Sequence, residues 1–247
     1  MAIDADIYQN ILRWQRFKLR KQAEGPLPHR PRVLYIGCSD ARLDPVTDIG
    51  IPQGEALIYR NIGGRVPAPP DLSTLDMDAA ARTGQIPEAV SMGATLEFFL
   101  NHVEDPENGE GRPPQTKHII VSAHTYCGGV ATANRNGAKP KDQYLPYYLA
   151  AMLAPIREFV GGLTGSHEEK DRATEEESVR ASMKHLRMYE VVREAENAVP
   201  PRVVLHGWVL GTDERRDIRE LDEVTNTFHP LVERGQGAGG VGGGGPQ

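Results

Sequence analysis

The stretch Val33–Arg42, V-L-Y-I-G-C-S-D-A-R, constrains the fold of this chain more than any other. It opens with four apolar or aromatic residues of high β propensity, a run that is typical of a strand buried on both faces in a parallel sheet. Cys38, Asp40 and Arg42 follow at alternate positions, and an extended backbone would point all three to one side. The sequence therefore predicts a thiol, a carboxylate and a guanidinium at the carboxyl end of a buried strand, where open α/β sheets place their sites.

A second apolar run, His118–Ser122, leads into two further residues of metal-binding type. His124 and Cys127 follow it at H-x-x-C spacing, so that one tight turn can aim both side chains at one point. Zinc takes thiolate and imidazole ligands, and catalytic zinc keeps three protein ligands and one open position. Cys38, His124 and Cys127 would supply such a site. The alternative is two ordinary buried thiols and a hydrogen-bonded core histidine.

Composition and charge narrow the class of protein. The chain has 247 residues, of which 39% are hydrophobic, so it can bury one sizeable core in one domain with extensions. The net charge is −6 with both signs interspersed, which predicts no nucleic-acid partner. No apolar run approaches the roughly 18 residues that a membrane span needs. Two cysteines placed for metal binding, together with an acidic N-terminus that lacks an apolar segment, predict a cytoplasmic protein.

Strand patterns alternate with helix patterns along the chain. This alternation predicts an α/β fold with a mainly parallel central β-sheet flanked by helices. Further strands are predicted at Ala56–Tyr59, Val203–Leu205 and Trp208–Leu210. Helices are predicted at Glu88–His102, at Asp142–Val160 with a kink or division at Pro155, and at Glu175–Asn197.

The two ends of the chain differ from its middle. Residues 1–30 are predicted to form an N-terminal helical arm, in which Trp14 and Phe17 need a surface to cover. Residues 31–234 are predicted to form the zinc-binding α/β catalytic domain. Residues 235–247, G-Q-G-A-G-G-V-G-G-G-G-P-Q, are predicted to be a flexible Gly-rich tail.

The paired motifs C-x-D-x-R and H-x-x-C-G-G together resemble those of the β-class carbonic anhydrases. The resemblance extends to Gly54–Ala56 (G-E-A), to Tyr59–Gly64 (Y-R-N-I-G-G) and to Leu205–Trp208 (L-H-G-W). The resemblance covers roughly residues 8–225 in order. The two motifs together are specific for the family, whereas either motif alone would be weak evidence.

The resemblance implies an enzyme that hydrates CO2 reversibly to bicarbonate by zinc-bound hydroxide. Cys38, His124 and Cys127 would hold the Zn²⁺ ion. Arg42 would pair with Asp40 and keep it ionised, and Asp40 would accept a hydrogen bond from the zinc-bound water and orient it. In a closed state, Asp40 would itself become the fourth zinc ligand.

The resemblance also implies pocket residues and partners. His29, Leu57 and Gly128 would bind substrate, although His29 is equally well explained as a surface histidine in a proline-rich loop. N-terminal helices in the family lie across the partner subunit, so a homodimer or higher homo-oligomer is expected. Two alternatives to CO2 hydration stay open: a COS or CS2 hydrolase on the same scaffold, and a non-catalytic zinc-binding homologue that acts through association.

Overall fold

A computed structural model describes residues 7, 9, 11–13, 29, 31–83, 86–103, 116–134, 141, 144–213 and 217–231. A central sheet organises this part of the chain. Its strands are β1 (Val33–Cys38), β2 (Ala56–Asn61), β3 (Lys117–His124), β4 (Val203–Leu210), β5 (Ile218–Asp222) and β6 (Thr227–Pro230). Their order in the sheet is β2-β1-β3-β4-β5-β6. The first four strands pair in parallel and the last two pair antiparallel, which confirms the predicted mainly parallel sheet.

Helices occupy most of the connections between the strands. They are α1 (Pro45–Asp48), α2 (Met77–Thr83), α3 (Glu88–Glu97), α4 (Gly128–Asn134), α5 (Leu145–Leu153), α6 (Arg157–Gly162), α7 (His167–Leu186) and α8 (Glu190–Asn197). A π-helical turn at Phe98–His102 extends α3, as the predicted helix over Glu88–His102 requires. A 3-10 turn at Ala154–Ile156 separates α5 from α6, so the predicted division at Pro155 is confirmed.

The prediction of one long helix over Glu175–Asn197 was wrong, because two helices occupy this region and the first begins earlier. Ser166 and Glu169 form a capping box at the start of α7. Ser166 Oγ accepts from the Glu169 N–H at 3.2 Å, and Glu169 Oε2 accepts from the Ser166 N–H at 2.8 Å. The acidic residues Glu168 and Glu169, which precede the predicted start, therefore belong to the first turn of α7.

Two apolar layers sandwich the sheet. On one face, Leu34, Ile36 and Val121 pack with side chains of α3, α7 and α8. On the other face, Tyr35 and Ile120 pack in a smaller cluster with residues from the turn after β1 and from β4. Both faces of β1 and β3 are therefore covered, and the carboxyl ends of these two strands are left to carry the polar side chains that follow them.

Most of the predicted arm and tail lies outside the described residues. In the arm, residues 7, 9 and 11–13 are helical, whereas Trp14 and Phe17 are not among the described residues. Residues 232–247, which include the Gly-rich tail, are likewise outside them. None of the helices in the described ranges is both long enough and apolar enough to span a membrane.

Candidate metal centre and active site

Cys38, His124 and Cys127 come together at the carboxyl edge of the sheet. Cys38 is the last residue of β1, His124 is the last residue of β3, and Cys127 directly precedes α4. Tyr126, with a φ of 58°, adopts the left-handed conformation that turns the chain between the last two of them. One donor atom from each of the three residues lies within 4.8 Å of the others, and all three residues are buried. The structure thus brings together the three residues that the sequence assigned to one zinc site.

This donor set fits zinc. The two Sγ atoms are 4.0 Å apart, close to the roughly 3.8 Å expected for two thiolates on one tetrahedral zinc ion. His124 Nδ1 lies 3.0 Å from the Thr125 carbonyl, which accepts its proton and leaves the Nε2 lone pair for a metal. Among the described residues, His124 Nε2 is fully buried and has no hydrogen-bond partner. A buried nitrogen of this kind is explained by an ion bound between the two sulfurs.

Hydrogen bonding favours the thiolate form of Cys38. The thiol of Cys127 donates towards Cys38, and this contact lowers the pKa of Cys38 more than burial raises it. The Gly63 N–H, which is 3.4 Å from Cys38 Sγ, acts in the same direction. The same contact with Cys38, together with burial, raises the pKa of Cys127. The cluster therefore presents one thiolate, and zinc binding would release the proton of Cys127.

A carboxylate–guanidinium pair stands beside the cluster. Arg42 Nε donates to Asp40 Oδ1 at 2.9 Å, and Arg42 Nη2 donates to Asp40 Oδ2 at 2.8 Å. This bidentate pair holds the pKa of Asp40 well below its usual range. Asp40 Oδ2 also lies 3.8 Å from His124 Nε2. An ionised carboxylate is therefore placed next to the position that a metal would occupy.

The pair forms in a turn, which corrects the expectation of an extended backbone from Cys38 to Arg42. Strand β1 ends at Cys38, and the Arg42 N–H donates back to Asp40 Oδ1 at 2.9 Å. Leu43 N–H donates to the Asp40 carbonyl at 3.2 Å. Asp side chains commonly bond to the backbone two residues on and so initiate turns, which explains the local geometry.

Arg60 supports this turn in a way that the sequence did not indicate. Its Nε donates to the Cys38 carbonyl at 2.8 Å, and its Nη2 donates to the Asp40 carbonyl at 2.6 Å. Arg60 therefore fixes the backbone that carries both a candidate ligand and the dyad carboxylate. The Y-R-N motif drew attention to this residue, but a contact between neighbouring strands is visible only in the fold.

Glu175 is a second site residue that sequence reasoning missed. It is fully buried on α7, and its Oε1 accepts from the Cys127 N–H at 3.0 Å. Burial raises the pKa of Glu175 to about 7, while the bond from Cys127 opposes that shift. A stripe of polar residues at helical spacing offered a signal, since they occupy the buried face of α7: Asp171, Thr174, Glu175, Ser178 and Ser182.

The three predicted pocket residues lie in different places. Gly128 directly follows Cys127, and a Cβ added there would meet no described atom within 4 Å, so it borders open space at the cluster. Leu57 pairs with Leu34 near the start of β1 and packs against the main core, away from Cys38 in the same chain. His29 is exposed ahead of β1. The structure therefore brings Gly128 to the cluster, whereas His29 and Leu57 stay predictions.

We expect Gly64→Ala to destabilise the protein far more than the matched variant Gly50→Ala. Both glycines have positive φ, 65° and 75°, so alanine costs each about 1–2 kcal/mol. At Gly64 a Cβ would also lie 2.7 Å from the Ser122 carbonyl oxygen and 2.8 Å from Cys38 N, whereas at Gly50 it would meet no described atom within 4 Å. This overlap should add roughly 1–3 kcal/mol, which urea unfolding of both variants measures. Equal losses in the two variants would contradict the packing described here.

The fold and the site define a zinc-binding α/β protein, and comparisons with known proteins agree with it. A family model described as carbonic anhydrase matches residues 33–216. The carbonic anhydrase of Emericella nidulans is 26% identical over 192 residues, which are 73% of this chain and 65% of that relative. The carbonic anhydrase of Synechococcus elongatus is 25% identical over 183 residues, or 72% of this chain and 56% of that relative. The chain thus spans less than two thirds of the length of both curated relatives.

A solved structure shows the same fold. It comes from a study of two tetrameric β-carbonic anhydrases from Sordaria macrospora, and it superposes with a TM-score of 0.63 at 21% identity. The superposition covers 88% of this chain and 98% of that one. The chain belongs to the β-carbonic anhydrase family, since the family model covers most of its length.

Proposed function

We propose that this protein is a zinc-dependent carbonic anhydrase that catalyses the reversible hydration of CO2 to bicarbonate. The observation that carries the proposal is the buried Cys38–His124–Cys127 cluster with an ionised Asp40 at its edge. The relatives bear the name carbonic anhydrase, which favours CO2 over COS or CS2 as the substrate. An intact dyad beside the cluster also argues against a non-catalytic homologue.

The roles of the residues follow from their positions. Zinc bound by Cys38, His124 and Cys127 would act as a Lewis acid that lowers the pKa of water at its open position. Asp40 would accept a hydrogen bond from that water and set its orientation towards CO2. Arg42 holds both carboxylate oxygens of Asp40 and so keeps the carboxylate ionised and in place.

The same geometry supports a closed state in which Asp40 takes the fourth position on the metal. Asp40 Oδ2 is already 3.8 Å from His124 Nε2, so a small shift would bring it to a shared ion. Arg42 opposes that shift by holding Asp40 in a bidentate pair, and it also donates to the Tyr126 carbonyl at 3.1 Å. Gly128 is the pocket residue that this geometry favours, because it follows a ligand and borders open space.

A direct assay tests the proposed reaction. Zinc-loaded protein should hydrate CO2 in a stopped-flow measurement with a pH indicator, and the same preparation should show far lower hydrolysis of COS and CS2. Hydrolysis of COS or CS2 that exceeds CO2 hydration would favour the hydrolase. A protein with one bound zinc and no turnover of any of the three substrates would favour the non-catalytic homologue.

We expect hydration activity to rise from neutral towards alkaline pH. A site with three neutral imidazoles holds water with a pKa of about 7. Here Cys38 and Cys127 as thiolates would cancel the formal charge of the ion, and Asp40 adds a negative charge nearby, so the corresponding pKa should be higher. Asp40 contributes no inflection at neutral pH, because Arg42 holds its pKa below the usual range. A pH–rate profile that is flat from mildly acidic to alkaline conditions would overturn this assignment.

We propose that the protein is at least a homodimer, and β2 provides the structural argument. In the described part of the chain, β2 lies at one edge of the sheet, where its backbone groups are free to pair. Ile58 and Ile62 on and after this strand are 47% and 43% exposed, and Phe98 is 48% exposed. The enzymes of Sordaria macrospora are tetrameric, which agrees with association through such a surface.

Sedimentation velocity at micromolar concentration tests the oligomer. Ile58→Lys should shift the protein towards the monomer, because a charge on this edge disfavours pairing. Val224→Lys is the matched control, since Val224 is 94% exposed in the β5–β6 turn and should leave the oligomer unchanged. A wild-type protein that sediments as a stable, active monomer would contradict the proposal.

We also propose a cytoplasmic location. Two free, buried thiols that are 4.0 Å apart remain available as metal ligands in a reducing compartment. Cell fractionation with antibodies against the chain tests this location, and recovery in an oxidising compartment would contradict it.

A further inference from the structure

The turn that carries Cys127 is held by one face of α7. Glu168, Arg172 and Glu175 follow one another at intervals of four and three residues, a spacing that places side chains on the same face of a helix. Glu175 accepts from the Cys127 N–H at 3.0 Å. Glu168 and Arg172 contact the preceding residue, Tyr126, so α7 holds two consecutive residues of the turn.

The phenol of Tyr126 lies between two charged side chains. Its hydroxyl donates to Glu168 Oε1 at 3.2 Å and accepts from Arg172 Nη2 at 3.2 Å. Arg172 Cζ lies 5.7 Å from the centre of the Tyr126 ring, within the range of a cation–π contact. Arg172 Nη2 also donates to Glu168 Oε1 at 2.9 Å, so each of the three side chains contacts the other two. We call Tyr126, Glu168 and Arg172 together the tyrosine clasp.

The clasp holds a residue whose backbone conformation is uncommon. Tyr126 has a φ of 58°, and bulky residues seldom adopt this left-handed region. Such a conformation persists where surrounding contacts fix it. Contacts of the phenol on one side of the turn, and the bond from the Cys127 N–H to Glu175 on the other, supply that constraint. The clasp therefore helps to set the direction of the Tyr126 carbonyl.

The Tyr126 carbonyl connects the clasp to the carboxylate–guanidinium pair. It accepts from Arg42 Nη2 at 3.1 Å, and the same nitrogen donates to Asp40 Oδ2 at 2.8 Å. A change in the Tyr126 backbone would turn this carbonyl away from Arg42 and remove one support of the pair. Because that pair opposes the movement of Asp40 onto the metal, contacts on α7 bear on the position of Asp40.

We propose that the members of the tyrosine clasp are positioning residues, which act through Arg42 to keep Asp40 off the metal position. This inference rests on the proposed function, since it assigns a means of regulation to the same site. Without the clasp, Asp40 would occupy the fourth position on the ion for a larger fraction of the time. The side chains of Arg172 and Glu168 are 47% and 58% exposed, and exposed ion pairs are weak, so we expect an effect of a few-fold.

Azide binding to the cobalt-substituted full chain, followed by the visible absorption of cobalt, tests the proposal. An external anion needs the open position, so its apparent affinity falls with the fraction of protein in the open state. Tyr126→Phe and Arg172→Gln should each raise the apparent dissociation constant of azide about two- to fivefold at unchanged cobalt content. The matched controls are Tyr147→Phe, at an exposed tyrosine on α5, and Arg193→Gln, which removes an exposed pair with Glu190 on α8. Both controls should bind azide like wild type.

The Asp40→Asn background separates positioning from a general structural effect. An amide is a poorer metal ligand than a carboxylate, so Tyr126→Phe should no longer change the affinity for azide in this background. A merely structural loss would be the same in both backgrounds, and that result would overturn the proposal. Azide binding that is unchanged or tighter in both Tyr126→Phe and Arg172→Gln would also overturn it. A protein that hydrates no CO2 would contradict the proposed function, whereas the azide titrations would still decide the role of the clasp.

Discussion

Replacing Cys38 or Cys127 by serine is expected to remove most of the zinc from the protein. A serine hydroxyl is a poorer ligand for zinc than a thiolate or an imidazole. Cys38 and Cys127 each contribute one sulfur to the same buried cluster, so the loss of either leaves the ligand set incomplete. Structural zinc sites in peptides contribute about 10–16 kcal/mol of binding, so the loss of one thiolate should weaken zinc binding by more than about a hundredfold. Zinc content after dialysis against a chelator measures the effect, and hydration activity should fall with it.

Two controls make this result specific. Ser39→Ala changes an exposed neighbour of Cys38 and should retain one zinc per chain. Circular dichroism of the cysteine variants should show the secondary structure of the wild type, so that zinc loss is not confused with unfolding. Full, chelator-resistant zinc occupancy in either cysteine variant would refute the proposed ligand set.

Asp40→Asn is expected to keep the zinc and to lose most of the hydration activity. The substitution preserves size but turns one acceptor oxygen into an amide donor, which would misorient the water that Asp40 is proposed to hold. It also replaces the bidentate ion pair with Arg42 by a weaker neutral contact. Positioned proton acceptors contribute about 10²–10⁴-fold to rate, so we expect a loss in that range.

The matched control for this variant is Asp78→Asn, which alters an exposed aspartate in the first turn of α2. It should leave both zinc content and turnover unchanged. Zinc content measured on the same samples separates a mechanistic loss from a metal loss. Wild-type turnover in Asp40→Asn would remove Asp40 from the mechanism.

The arrangement of the metal centre could be predicted because its determinants are local. Cys38 and His124 each end an apolar strand, and Cys127 follows His124 at a fixed spacing. Parallel strands place their carboxyl ends at one edge of a sheet, so two such motifs on neighbouring strands must meet. Zinc chemistry then follows from the residue types alone.

Two elements of the fold were missed for different reasons. The start of α7 had a local signal that was missed, because Ser166 and Glu169 are three residues apart and form a capping box. The β5–β6 hairpin was not predicted, since its strands are short, mixed in polarity and stabilised by pairing with β4. Tertiary pairing commonly overrides weak local propensity in this way.

By itself, the sequence determined the fold class, the candidate metal ligands and the Asp40–Arg42 pair, because each depends on residue type and on spacing within a few positions. Only the tertiary structure decided that Arg60 supports the turn after β1, that Glu175 bonds to the backbone of Cys127, and that α7 holds the phenol of Tyr126. These contacts join residues that are 22 to 48 positions apart. Burial and hydrogen bonding at such separations depend on how the helices pack on the sheet, which no local pattern in one chain encodes.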